Sequence, residues 1–227
     1  MRGPALDLKS TILSRMAHKA PFGVWTPSDF LDLGPRDAVD QALHRLTRSQ
    51  HIRRIARGLY DSPGNNTLTG KPTSSDPRGV IDALARRDQS RMLIDGITAA
   101  NDLGLTNAVP ARIVIHTDAR LQSFTLGNLT IQFKKTAPSK LYWAGRPAMR
   151  VVQAMHWLQD VLPQDGQRIA SRLRAIFANP HDGDAIVQDL QNGMSALPGW
   201  MQDYLRPLLP NAGGLANIPL PRKAAAQ

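Results

Sequence analysis

The chain has 227 residues, with 28 Lys and Arg against 18 acidic residues and a formal net charge of +10. Cysteine and glutamate are both absent, which excludes disulfide frameworks, thiolate metal sites, a Cys nucleophile, HExxH zincins and Glu-based acid pairs. The length fits one large or two small domains, 42% hydrophobic residues suffice for a core, and the positive excess favours polyanionic partners.

The N-terminal stretch carries Asp7 and Lys9 among its apolar residues and lacks a small-residue cleavage site, so it does not read as a signal peptide. No run of about 18 apolar residues occurs, and a cytoplasmic protein without membrane contact is expected. Asp7 is placed to cap a first helix with Leu8, Ile12, Leu13 and Met16 on one side. Thr26-Pro27 reads as the start of a second, short helix, stopped by Gly34-Pro35. A third helix is predicted from about Pro35 to Ser49, with Val39, Ala42, Leu43 and Leu46 at i, i+3, i+4 and i+7. Two short extended runs follow, 51–56 and 59–62, with Gly58 supplying the turn. Helix, helix, helix and hairpin is the element order of a winged helix-turn-helix, predicted over 1–62.

Residues 63–78 are almost all turn formers and read as a linker. The segment 79–147 is mixed. It contains a helix over 79–87, a strand over 92–94, a small helix over 98–103 closed by Gly104, and a strand over 112–117. Two alternating runs flank Gly127-Asn128, a hairpin over 123–133. Helices are predicted over 148–161, 166–178, 183–193 and 199–208, and the tail 210–227 reads as disordered. The expected fold class is α+β: a winged helix-turn-helix, then a domain over 79–209 with a small antiparallel sheet (79–147) and a helical part (148–209).

Charge has a geometric use in the first segment. With Val39, Leu43 and Leu46 inward, the third helix turns Asp37, Gln41, His44, Arg45 and Arg48 outward. Six arginines, Arg36, Arg45, Arg48, Arg53, Arg54 and Arg57, lie between residues 36 and 57 against Asp37 and Asp40. Arginines there suit DNA phosphates, Gln41 and His44 suit base edges, and Asp37 suits either the helix dipole or a cytosine amine. The competing reading is a solvated basic face of a three-helix bundle. Histidines 18, 44, 51, 116, 156 and 181 form no pair at helical spacing, so no metal and no cofactor are expected. His116-Thr-Asp118 has no accompanying nucleophile elbow, and the Asp cluster of 181–184 reads as a helix cap. The stripes Met155, Trp157, Leu158 and Trp200, Met201, Tyr204, Leu205, Leu208 read as core, part of the second as a docking face.

Several strings carry a family resemblance. Ile55-Ala-Arg-Gly-Leu-Tyr60 with Pro63 looks like a wing ending, and Ala99-Ala-Asn-Asp-Leu-Gly104 through Pro110-Ala111 like a central motif. The strand pattern from Ile115 to Leu141 and the segment Asp189–Arg206 continue the match. Over about 6–209 the chain resembles the AbiEi-type antitoxins of type IV (abortive infection AbiE) toxin–antitoxin systems. The resemblance implies a winged helix that binds inverted repeats in its own promoter and represses it. It also implies a C-terminal domain that neutralises a cognate nucleotidyltransferase toxin, with no catalytic residues. Asn101-Asp102 departs from the pattern, which has a more apolar pair there. Lys134, Lys135 and Lys140, with Arg146 and Arg150 nearby, are the candidate antitoxin surface; solvated charge is the plainer reading. Direct toxin contact and dimerisation on DNA stay open. The alternatives are a non-catalytic RNA-binding protein, for which 5% aromatic residues supply few stacking platforms, and a transcriptional regulator without antitoxin activity.

Overall fold

A computed structural model describes residues 7–18, 23–64, 70 and 72–210. Expectations for the tail beyond 210 and for linker residues 65–69 and 71 lie outside the described residues. The protein is α+β. Its chain divides into two compact units, Met1–Leu93 with Ala111–Tyr142, and Ile94–Pro110 with Trp143–Gln227. This division cuts across the expected 79–209 segment, because 111–142 groups with the first unit.

In the first unit, α1 (Leu8–Ala17) buries Ile12 and Met16, as its spacing predicts, although Asp7 at its N-cap makes no side-chain bond to the helix. Thr26 and Asp29 do form a reciprocal capping box, and the expected second helix is a single 3-10 turn, Pro27–Phe30. A guanidinium fork from Arg15 reaches Asp32 at 2.7 and 2.6 Å, and this hydrogen bond holds the Asp32 carboxyl below its ordinary range. The next helix, α2 (Arg36–Arg48), buries Val39, Ala42, Leu43 and Leu46. They meet Ile12, Met16, Phe30, Ile52 and Tyr60 in one core cluster.

Helix α2 ends in a Schellman motif: Gln50 N donates to Thr47 O and His51 N to Leu46 O. The motif requires a left-handed residue after the cap, and Gln50 takes it with φ 60°. A side chain in that conformation is strained by roughly 1 kcal/mol relative to glycine. Gln50→Gly is therefore expected to raise the thermal midpoint slightly, by up to about 1 kcal/mol of stability, in a melting experiment; a lowered midpoint contradicts this.

Strands β1 (Val24–Trp25), β2 (Arg53–Ala56) and β3 (Leu59–Asp61) form an antiparallel sheet in the order β1-β3-β2. Its hairpin turns at Gly58, φ 69°, as expected. Strand β1 is absent from the sequence reading. Helix α3 (Pro77–Asp88) starts at Asp76, whose carboxylate accepts from Arg78 N, and buries Val80, Ile81, Ala83 and Leu84.

A second sheet follows the order β4-β5-β7-β6, from β4 (Met92–Ile94), β5 (Arg112–Thr117), β6 (Phe124–Leu126) and β7 (Leu129–Lys135). The Gly127-Asn128 hairpin forms as predicted. Its positive φ lies at Gly127 alone, the pattern of a II′ turn. The sheet is mixed and not antiparallel: β7 inserts between β5 and β6 and runs parallel to β5. This follows from the loop after Thr117, which passes one strand position before the chain turns back.

The second unit is helical. It holds α4 (Gly96–Asp102), α5 (Met149–Leu158), α6 (Leu162–Phe177), α7 (Gly183–Gly193) and α8 (Gly199–Leu205), near the predicted spans. Asp182 stands at the N-cap of α7 but makes no side-chain cap bond, so the expected capping role fails there. Met155, Leu158, Met201, Leu205 and Leu208 are buried core, whereas Trp157 is 43% exposed.

Arginines tie these helices together. Arg150 pairs with Asp102 at 3.0 Å, which gives the departing Asp102 a partner on α5, and the Asn101 amide donates to Ala108 O. Arg168 and Arg172 of α6 donate to the carbonyls of Leu105 and Leu103, just beyond the C-terminus of α4. Arg146 lies 4.8 Å above the Trp143 ring and donates to Asp189 at 2.6 Å, while the other Asp189 oxygen accepts from Ala148 N.

Candidate nucleic-acid interface

The outer face of α2 follows from what its inner face buries. Residues 37, 41, 44 and 48 are spaced i, i+4, i+7 and i+11, so they fall in one stripe opposite the buried Val39, Ala42, Leu43 and Leu46. Asp37, Gln41, His44 and Arg48 are all exposed, and Arg45 stands beside them. Gln41, His44, Arg45 and Arg48 make no side-chain hydrogen bond or ion pair among the described residues. Their polar ends therefore meet solvent and are available to a ligand without breaking an internal bond. Arg36 is exposed but folds back on Asp40, Nε to Oδ2 2.9 Å, an i,i+4 pair of small energy. Asp37 in the first turn and Arg45 and Arg48 in the last both suit the helix dipole.

The hairpin splits the remaining arginines. Arg54 and Arg57 are exposed, the first with a long 3.4 Å contact from Nε to Ala56 O. Arg53 is held inward. Its Nε donates to Asp61 Oδ1 at 3.0 Å and its Nη2 to Asp61 Oδ2 at 2.6 Å and to Ser75 Oγ at 2.9 Å. Ser75 in turn donates to Asp61 Oδ2 at 2.6 Å, and the Asp61 side chain is 1% exposed. The Arg53 fork, expected to meet a phosphate, is engaged in this internal network, while its side chain stays 35% exposed. A buried carboxylate needs a fixed positive partner, and Arg53 supplies two parallel bonds to it.

The sequence reading also misses the anchor of the hairpin turn. Arg87, near the end of α3, donates from Nη1 to the carbonyl of Arg57 at 2.6 Å and grips Asp88 with its other nitrogens at 2.8 and 2.7 Å. A basic residue in a helix's last turn is visible in the sequence; its reach across thirty residues is not.

The proposed antitoxin lysines are not brought to one face. Lys134 and Lys135 are adjacent on β7, and successive strand residues point to opposite sides of the sheet. Lys140 is exposed in a 3-10 turn beyond the strand, and all three belong to the first unit. Arg146 and Arg150 belong to the second unit and are engaged with Asp189 and Asp102.

His116 Nδ1 sits 3.0 Å from Thr136 Oγ1 on the second sheet. Among the described residues no group of three or more His, Asp, Glu or Cys is arranged to hold a metal ion. No described helix is long and apolar enough to cross a membrane.

Residues 12–176 match the sequence profile of DUF6088, a family of unknown function. The chain belongs to the DUF6088 family. The DUF6088 match covers α2, the hairpin with Arg53 and Asp61, α3, the mixed sheet and α5; it ends within α6, before α7 and α8. Comparison with curated proteins gives no match.

Proposed function

We propose that this DUF6088 protein is a non-catalytic DNA-binding repressor whose first segment works as a winged helix. In this reading α2 lies in the major groove, and the β2–β3 hairpin is the wing beside it. The observation that carries the reading is the outward stripe of Asp37, Gln41, His44 and Arg48, unengaged by the rest of the described chain except through the helix dipole, with Arg54 and Arg57 exposed on the neighbouring hairpin. Arg45, Arg48, Arg54 and Arg57 serve phosphates, while Gln41 and His44 read base edges. The resemblance to AbiEi-type antitoxins extends the proposal: the protein represses its own promoter and neutralises a nucleotidyltransferase toxin encoded beside it.

Binding of the full chain to the duplex upstream of its own gene tests the first part. Arg48→Ala is expected to weaken binding to every duplex alike and to reduce the slope of log K against log salt by about one unit. Equal affinity of the wild type for upstream and random duplex refutes operator recognition. Growth rescue from the neighbouring gene product tests the second part. Arg48→Ala is expected to lose repression and keep rescue, whereas wild-type protein that fails to rescue removes the antitoxin role and leaves the repressor.

A further inference from the structure

The first unit contains an open cleft of about 590 Å3 that shares Arg57 alone with the proposed DNA contacts. Its volume falls in the range of small-molecule sites, roughly 300–1,000 Å3. Four guanidinium groups line it, from Arg36, Arg57, Arg87 and Arg120, against one carboxylate, Asp88. That carboxylate is already matched by the two-bond grip of Arg87. Arg36 is paired with Asp40. Arg57 and Arg120 are exposed and make no side-chain hydrogen bond or ion pair among the described residues. The cleft therefore holds an excess of positive charge with two forks ready for an anion.

The rest of the lining adds an aromatic surface. Phe124 of β6 and Phe133 of β7 both border the cleft, half-buried, with ring centroids 6.2 Å apart and planes tilted by 31°. Half-buried phenyl rings gain from being covered, and the two solvated guanidiniums beside them have no anionic partner among the described residues. They suit one ligand class that satisfies both. A phosphate takes two parallel hydrogen bonds from an arginine fork. A planar heterocycle stacks on phenyl faces. Gln122 and Ser123, also in the lining, add side-chain donors and acceptors.

We propose that this cleft binds a nucleotide, its phosphates on Arg57 and Arg120 and its base against Phe124 and Phe133. Inorganic phosphate leaves the phenyl surface uncovered, and an uncharged nucleoside leaves the guanidiniums unmatched. The site shares Arg57 with the DNA-binding reading, whereas Arg120, Phe124 and Phe133 belong to the cleft alone, so variants at those positions test it separately.

Calorimetric titration of the full chain with ATP and GTP tests it, with inorganic phosphate and adenosine as comparisons. One-site binding of at least one nucleotide, about tenfold or more tighter than both comparisons, is the expected result. Arg120→Ala, at an exposed position, is expected to weaken that binding about tenfold. Phe124→Leu, which keeps apolar volume and removes the aromatic face, is expected to weaken it by several-fold while circular dichroism stays unchanged. Absence of nucleotide binding, phosphate binding as tightly as nucleotide, or undiminished binding in Arg120→Ala overturns the proposal.

Discussion

Arg53→Met is expected to destabilise the first unit by about 3–5 kcal/mol, the cost of leaving a buried charge without its partner. Asp61 is 1% exposed, lies on the central strand β3, and is bonded by Arg53 and Ser75. Methionine keeps the apolar stem and removes the fork, so the carboxylate keeps only the Ser75 hydroxyl. Amide exchange should accelerate across β2 and β3, where the register pairs Arg53 with Asp61. The double variant Arg53→Met with Asp61→Asn should recover much of the loss, because the charge itself is then gone. DNA affinity should fall in the single variant only as far as folding falls. Unchanged stability together with weakened DNA binding gives the opposite assignment, Arg53 as a phosphate ligand and the pair with Asp61 as idle.

The contrast between Arg48 and Arg53 shows where sequence reading reaches and where it stops. Helix α2 is legible because four buried residues repeat at its own period, and that repeat also fixes which residues face outward. The Gly127-Asn128 hairpin and the Gly58 turn are legible because glycine is needed where φ is positive. Nothing local marks Asp61 as buried. It ends a short strand before a turn-rich stretch, and its environment depends on Ser75, fourteen residues on. Strand β1 has two residues, too few for a period, and exists through its pairing with β3 more than thirty residues later. The lysine run at 134–135 looks like a patch in one dimension, although the strand period of two already separates its members.

Unit boundaries were hidden for a related reason. Composition shifts at the 63–78 linker, and that shift suggests a border. No shift accompanies residues 94 or 110, where the chain passes from one unit to the other. The passage is set by packing of α4 on helices more than forty residues later. The same packing accounts for much of the positive charge in the second half. Arg146, Arg150, Arg168 and Arg172 bond carboxylates or helix-end carbonyls within their own unit, so their charge is structural as well as solvated.

Gly96→Ala should be among the most damaging small substitutions in the second unit, at about 3 kcal/mol or more. Gly96 opens α4 with ordinary negative φ, so its requirement is space and not backbone freedom. A β-carbon there would stand 2.6 Å from the carbonyl oxygen of Gln153 and 2.6 Å from the Cβ of Trp157, both on α5. Overpacking costs about 1–3 kcal/mol when side chains can give way. Here the obstacle is a helix backbone and the root of a side chain, so one helix must move. Helix α5 is poorly placed to move: Val151, Val152, Ala154 and Met155 are fully buried, Arg150 ties it to Asp102 of α4, and Asp189 holds Ala148 N at its start. Gly199→Ala is the control, because a β-carbon at Gly199 meets nothing within 4 Å, and replacing a helical glycine there should be neutral or slightly stabilising. Urea denaturation followed by tryptophan fluorescence reports mainly on this unit, which contains Trp143, Trp157 and Trp200. A large drop in midpoint for Gly96→Ala beside an unchanged Gly199→Ala is the expected pair of results; equal midpoints mean that α4 and α5 do not need this close approach.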